Sequence, residues 1–413
     1  MIQSRLGWCS ALLLTCCGAA ALLSACGGAE SPADQADPAA AADPADLSST
    51  SCAVVMPAAI PPGWSFEEAV SDVGSCLAGT SDGNGVIAIG SGYGPGFSQD
   101  FESVSWSQFT SSGVPTSAAV LTVTGTESLF GQPSGFQVAW QQDCESGAPC
   151  SNAKTLSTWH AGSGTRHDGA IFSTVQADDP KGGMVLAGVD GGGKFLVQRF
   201  NQSGAALSAP ALVVSGPVTL FGSGASRSGP TLAVWDVGAA GGAAGTVRGR
   251  WLSSTGRALT GTFVVATGVA DGFGFDLVPL LDGTLAVRTS ISIYAGVPAR
   301  FLGRFAPGST VRTAVPGWLA TRPTASVFPI RGAHAYALLF PVDNSSGCGV
   351  QHIALFSGSG TRCGGFDADL GGSYTCVNKA NIGRDGTLFL SGGGDPGYGS
   401  NSCKQRVIPA LLR

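Results

Sequence analysis

The groups in this chain that could do chemistry are its cysteines and a thin scatter of acids. Four of the twelve cysteines, Cys9, Cys16, Cys17 and Cys26, lie close to the N-terminus. The other eight are Cys52, Cys76, Cys144, Cys150, Cys348, Cys363, Cys376 and Cys403. An even set of this kind, in a chain that leaves the cytoplasm, implies a disulfide framework. Cys144 and Cys150 enclose the short loop "CESGAPC" and are the expected pair. Cys52–Cys76 is a second expectation, and the remaining pairing stays open. No C-x-x-C occurs and the four histidines are scattered, so no metal site is expected.

The acids suggest no catalyst. "SDGNG" (Ser81–Gly85) offers Asp82 and Asn84 as oxygen donors, but a calcium loop needs more acids at alternate positions, so a β-turn is expected. "RHDG" (Arg166–Gly169) sets His167 beside Asp168. Neighbouring strand residues point to opposite faces, so this reads as a loop turn rather than a dyad. Asp72, Asp168, Asp271 and Asp276 are expected near the innermost strands, and nothing in their spacing selects a pair. No nucleophile elbow is read from the chain. "GGMVLAGVDGGG" (Gly182–Gly193) lacks the lysine and hydroxyl residue of a phosphate loop and reads as a hairpin. Trp140 and Trp235 read as packing residues. No catalytic residue, metal or cofactor is expected.

The elements that must hold these groups come from a repeat. A glycine followed by an apolar run recurs at Gly85, Gly135, Gly183, Gly229, Gly283, Gly332 and Gly386, in steps of 46 to 54 residues. An aromatic before a Ser/Gly turn follows in most units: Phe109, Trp159, Phe200, Trp251, Phe305 and Phe356. Thus "RFNQSGAALSAPALVVSG" and "TVRGRWLSSTGRALTGTFVVATG" are read as the same strand–turn–strand of adjacent units. Each unit reads as four short strands with almost no helical period. Seven such units indicate an all-β, seven-bladed β-propeller of four-stranded blades. The seventh unit ends without an outer strand, and the segment Ser51–Phe66 is expected to supply it as an N-terminal strand completing the last blade. An eight-bladed or open arrangement is the alternative.

The N-terminus speaks to location. Arg5 precedes the apolar run Cys9–Leu23, too short to span a bilayer as a mature helix. The run ends in "LSAC", Leu23 to Cys26. That stretch resembles the lipobox of bacterial lipoproteins. The resemblance implies a signal peptide over 1–25, lipidation at Cys26 and membrane anchoring by acyl chains, palmitate among them. Gly27, where such proteins often carry an inner-membrane aspartate, points to the outer membrane, on its periplasmic or surface face. Residues 26–50, rich in Ala, Pro and Asp with no aromatic or basic residue, are expected to be a disordered tether. The propeller is expected over 51–413, with blade repeats from about residue 75.

Charged residues make up 12% of the chain, and glycine is abundant at 63. Removing Arg5 leaves 21 basic against 27 acidic residues, a net of −6, which argues against a nucleic-acid partner.

The pattern "LAVWD…VRGRWLSSTGRAL" resembles a repeat of secreted bacterial propeller lipoproteins of the myxobacterial type, over roughly Gly79–Arg413. The resemblance implies fold and export, and it carries no catalytic residue. The expected function is therefore a membrane-anchored lipoprotein of the cell envelope, presenting a propeller as a binding or scaffolding platform for an unidentified protein or glycan. The alternative is a secreted polysaccharide hydrolase or lyase that uses the propeller funnel.

Overall fold

The computed structural model describes residues 60, 63–69, 75–76, 79–81, 87–93, 103–121, 127–132, 135–141, 156–160, 165–169, 175–190, 192–237, 245–269, 274–290, 299–330, 334–340, 350–370, 377, 379–383, 385–393, 402–409 and 411–412. The signal segment, Cys26 and the tether lie outside them.

The first strand is β1 (Trp64–Ala69). Sheet I holds β2 (Ser75–Cys76), β3 (Thr80–Ser81), β4 (Ile87–Tyr93), β5 (Ser103–Phe109) and β6 (Pro115–Leu121). Sheet II holds β7 (Glu127–Gln132), β8 (Gly135–Gln141), β9 (Leu156–His160) and β10 (Thr165–Gly169). Sheet III follows with β11 (Val175–Asp178), β12 (Met184–Val189), β13 (Lys194–Phe200) and β14 (Ala211–Ser215). Sheet IV has β15 (Phe221–Ala225), β16 (Thr231–Val237), β17 (Gly245–Leu252) and β18 (Phe263–Val269). Sheet V has β19 (Phe275–Pro279), β20 (Leu285–Thr289) and β21 (Phe301–Phe305). A short helix, α1 (Gly317–Ala320), precedes sheet VI, made of β22 (Ser326–Ile330), β23 (Ala335–Leu339), β24 (Gln351–Ser357) and β25 (Arg362–Ala368). Sheet VII contains β26 (Lys379–Ile382), β27 (Leu388–Gly393), β28 (Ser402–Ile408) and, at its edge, β1. These are the seven sheets among the described residues, and every pairing in them is antiparallel.

A strand follows each of the seven repeated glycines: β4, β8, β12, β16, β20, β23 and β27. The best-described of these second strands read as unbroken apolar runs because both faces are covered. "MVLAG", "TLAVW" and "AYALL" are buried throughout. The outermost strand β18 instead exposes Val264, at 52%, and buries Val265.

The hydrophobic cores lie between consecutive sheets. Val185, Phe195 and Val197 of sheet III pack with Ala233, Trp235 and Leu252 of sheet IV. Val247, Trp251 and Val265 of sheet IV pack with Phe275, Leu285 and Phe305 of sheet V. Val278 and Ala286 of sheet V share a core with Tyr336 and Phe356 of sheet VI. Leu355 and Cys363 of sheet VI share one with Leu388 and Ile408 of sheet VII. Phe389 and Val407 of sheet VII meet Phe109 of sheet I. First strands also abut, as with β15 on β11 and on β19. Four-stranded sheets that bury one another face to face in chain order are the arrangement of a β-propeller.

Three sequence expectations need correction. First, two sheets depart from four strands: sheet I has five, because β2 and β3 both pair with β4, and sheet V has three. Beyond β21 one backbone pair, Arg304 with Thr313, starts a fourth strand, with reciprocal bonds of 3.0 Å. Pro316 and Pro323 then bracket the turn that carries α1, and a proline has no N–H for a ladder. Second, Arg166–Gly169 lies in strand β10, not in a loop turn. Third, Trp251 is not the counterpart of Phe200. Phe200 faces Met184 and bridges Ala206, while Leu252 faces Thr231 and bridges Ala258. Leu252 therefore occupies the aromatic's place, and Trp251, one residue earlier, points into the opposite core.

Candidate functional site

The two ends of the sheets differ. At one end, tight turns join first to second and third to fourth strands. In sheet IV the Ser253 N–H donates to the Arg257 carbonyl (2.7 Å) and the Gly256 N–H to the Ser253 carbonyl (3.0 Å). Ser253 Oγ accepts from the N–H groups of Thr255 (3.3 Å) and Arg257 (3.0 Å). Gly256 has φ 83°, which favours glycine there. Sheet III repeats the device with Asn201, whose Oδ1 accepts from Ser203 and Ala205, both at 3.0 Å. Asp179, Asp282 and Asp385 likewise bind backbone N–H groups in such turns, and Asp190 does so in a turn at the opposite end. Recurring Asp, Asn and Ser at turn starts thus serve the backbone.

At the other end the second-to-third connections leave. Segments 94–102, 142–155, 238–244, 291–298, 341–349 and 394–401 belong to these connections and lie outside the described residues. Among the described residues, sheet III closes there with a short turn, Asp190–Gly193, which is the hairpin expected for Gly182–Gly193.

Five described acids are held in ion pairs. Asp179 and Arg199 form a buried ion pair, and Arg199 Nη1 also donates to the Gly229 carbonyl of the next sheet. Asp276, on first strand β19, meets Arg288 Nε at 3.2 Å. Asp282 meets Arg304 Nη1 at 2.6 Å, and Asp369 meets Arg406 Nη1 at 3.1 Å. Asp367, on outermost strand β25, lies 2.5 Å from His352 Nδ1 of β24, and both side chains are exposed. Asp168 is on β10, the outermost strand of sheet II, so the expectation of an innermost position is corrected. Its neighbour His167 pairs with Thr158, and Asp168 with Ser157. Asp72, Asp82, Asn84 and Asp271 lie outside the described residues. Among the described residues no three His, Cys, Asp or Glu converge as metal ligands.

One pattern escaped the reading of the sequence. Gly79-Thr80-Ser81-Asp82-Gly83 does fit G-x-S-x-G. A nucleophile elbow needs a strand-to-helix turn that presents the serine. Ser81 instead sits in β3, is fully buried, and donates its hydroxyl to Asp385 of sheet VII. With Asn381 Nδ2 donating to the Gly79 carbonyl (3.0 Å), it joins the first sheet to the last.

Trp235 is 1% exposed, with its ring 6.2 Å from that of Phe195, which makes it a packing residue. Trp140 is on β8. Tyr336 is buried, and its hydroxyl accepts from the Leu281 N–H at 2.6 Å. Burial pushes that hydroxyl up to about 12 from an ordinary 10.0. Of the cysteines, Cys363 is buried on β25, and Cys76 and Cys403 lie on β2 and β28. Cys52, Cys144, Cys150, Cys348 and Cys376 lie outside the described residues, as does the lipidation candidate Cys26. No helix among the described residues is long and apolar enough to cross a membrane.

The fold class is therefore all-β, of propeller type. No family model matches the chain, and no curated protein matches it. Among solved structures it is similar to prolyl oligopeptidase B from Galerina marginata, at 9% identity and a TM-score of 0.47, over 85% of this chain and 51% of that one. It is similar to the β-propeller domain of the Trilobed protease from Pyrococcus furiosus, at 7% identity and a TM-score of 0.44, over 76% of this chain and 91% of that one. A puromycin hydrolase mutant complexed with PGG gives 14% identity and a TM-score of 0.45, over 83% and 55%. The chain spans about half the length of the prolyl oligopeptidase structures.

Proposed function

We propose that this protein is an exported lipoprotein, anchored through Cys26, whose seven sheets form one closed ring that acts as a binding platform. The ring is held by β1, which runs against β28 with Trp64 opposite Val407 and Ala69 opposite Ser402, so strands from far ends of the chain share a sheet. The observation that carries the reading is the asymmetry of the two ends. One end is a set of tight, self-bonded turns, and the other receives six of the seven second-to-third connections as long segments. Loops on a rigid scaffold are where binding residues concentrate. The ligand belongs to the classes of protein or glycan, and the location is the outer membrane. The described acids, held by arginines and turns, do not favour a polysaccharide hydrolase.

The test has two arms. Mass spectrometry of the mature N-terminal peptide should find acyl chains on Cys26, and Cys26→Ala should release the protein from membranes. The native protein should recover a reproducible envelope partner by affinity capture, and exchanging segment 142–155 or 341–349 for a short turn should abolish that capture. An unlipidated N-terminus would overturn the anchor. A capture unaffected by either exchange would overturn the loop-end platform.

A further inference from the structure

Large apolar side chains exposed to solvent recur at one level of this fold. Of the seven among the described residues, four lie at the tight-turn end: Val114, Leu207, Leu259 and Val311, exposed by 40% to 66%. Leu212 and Val264 follow on the outermost strands β14 and β18, and Val237 lies at the opposite end of β16. We infer that the tight-turn end of sheets III to V docks on an anionic lipid surface, so that the end bearing the long connections faces away from the membrane.

The positions correspond from sheet to sheet. The Leu207 N–H donates to the Arg199 carbonyl (2.9 Å) and the Leu259 N–H to the Trp251 carbonyl (2.8 Å), each just past the third-to-fourth turn. Val311 stands in the matching turn after β21, before the pair of Arg304 with Thr313. The three turns touch in series. An added Cβ on Gly256 of sheet IV would lie 2.8 Å from Ala211 Cβ of sheet III. The Trp251 indole of sheet IV bonds to Ser309, in the same turn as Val311. A single exposed aliphatic is ordinary on a protein surface, but a row of them on successive sheets marks a contact face.

Charge selects the partner. The tight turns of sheets III to V span residues 179–183, 201–210, 226–230, 253–262, 280–284 and 306–316. They carry Lys181, Arg227, Arg257 and Arg312 against two acids, in a chain whose net charge is −5. Both acids are matched by arginines of the strands, Asp179 by Arg199 and Asp282 by Arg304. Asp178, which ends β11, adds one acid beside them. Lys181 and Arg227 donate to the backbone carbonyls of Ser228 and Leu281, bonds that leave their charge in place. Arg257 and Arg312 are exposed. This end is therefore positive although the chain as a whole is negative.

The backbone behind the apolar tips is already bonded. Asn201 and Ser253 hold their turns, and the Ser309 N–H donates to the Ala306 carbonyl at 2.9 Å. Such tips enter a lipid interface without stranding polar groups. Aliphatic side chains flanked by basic ones form the pattern that binds anionic lipid.

The chain also enters its fold at this end. Trp64, first in β1, packs 5.0 Å from the Phe109 ring and donates Nε1–H to the Ser111 carbonyl (3.1 Å), in the turn that ends at Val114. Cys26 precedes that point, so acyl chains there hold this end toward the membrane. The orientation rests on the anchoring proposed above, whereas the docking surface stands on the turns themselves.

The test places the native protein with vesicles of equal phosphatidylglycerol and phosphatidylcholine, containing a trace of phosphatidylglycerol with a diazirine in its acyl chain. After irradiation, mass spectrometry should find label in residues 201–210, 253–262 and 306–313. Arg257→Gln and Arg312→Gln should each lower it about fivefold. Leu207→Ser combined with Leu259→Ser and Val311→Ser should remove most of it. No label at these turns, label centred on Asp190–Lys194 at the opposite end, or equal label in pure phosphatidylcholine vesicles carrying the matching probe overturns the inference. So does an envelope protein that occupies the face in place of lipid and is lost with the three serine substitutions. The wild-type map decides even where a variant fails to fold. An N-terminal peptide without acyl chains would remove the anchor alone, because labelling of protein added to preformed vesicles still judges the surface.

Discussion

The Trp251 indole N–H donates to the Ser309 carbonyl at 2.8 Å, so a side chain of sheet IV closes on the turn that follows sheet V. The ring itself is fully buried between Phe275, Leu285 and Phe305. Trp251→Phe should cost about 1 kcal/mol for the lost hydrogen bond, plus the smaller ring. Trp251→Ala should cost about 3–5 kcal/mol through the cavity left. Denaturant midpoints of the two variants check the order. An equal loss from both would mean that the hydrogen bond, and not the packing, holds the sheets together.

The buried pair of Asp179 and Arg199 lies in sheet III and bonds across to Gly229. Removing one partner leaves a desolvated charge. Asp179→Leu or Arg199→Met alone should therefore cost about 3–5 kcal/mol, while the two combined should cost less than the sum of the singles. A double-mutant cycle by equilibrium unfolding measures this, and strict additivity would refute the coupling.

Trp318 of α1 stacks on Phe356 at 5.1 Å and meets Tyr336 at 4.9 Å, covering sheet VI beside the three-stranded sheet. Gly360 lies beneath it with φ 91°, and an added Cβ would fall 2.1 Å from Trp318 Cδ1. Gly360→Ala should lower the thermal midpoint. Trp318→Leu should lower it too, and the two should be less than additive, because part of the glycine's cost is the clash with the indole. If Gly360→Ala loses the same stability in the Trp318→Leu background, backbone strain alone sets the cost.

Tyr336 makes stability depend on alkaline pH. Its hydroxyl titrates at about 12 when folded and at 10.0 ordinarily, with burial the main cause. The folded state holds this proton more tightly, so the contribution is complete below pH 10 and is lost as pH rises through about 12. Tyr336→Phe should flatten the fall in stability over that window, seen in urea midpoints at successive pH values. An unchanged slope would place the alkaline loss on other groups.

Much of the architecture was legible in the chain. The seven glycines each announce a second strand, and the best-described of these, such as β12, β16 and β23, are apolar runs because they are covered on both faces. What misled was register. Phe200 and Trp251 look equivalent beside similar turns, but the turn in sheet IV begins two residues after its aromatic and the turn in sheet III one residue after. Because strand side chains alternate, that single residue sends Trp251 to the opposite core. Arg166–Gly169 reads as a turn because its polar residues hide an outer strand, whose solvent side need not be apolar.

By itself the sequence determined the strand class, the repeat and the tight turns, since each depends on a few adjacent residues and local backbone chemistry. Only the tertiary structure decided which faces meet and where the partners of each charge lie. It also decided that β1 runs against β28 and that Ser81 reaches Asp385. These contacts join residues hundreds of positions apart, and no local pattern encodes which surfaces become neighbours once the sheets bury one another.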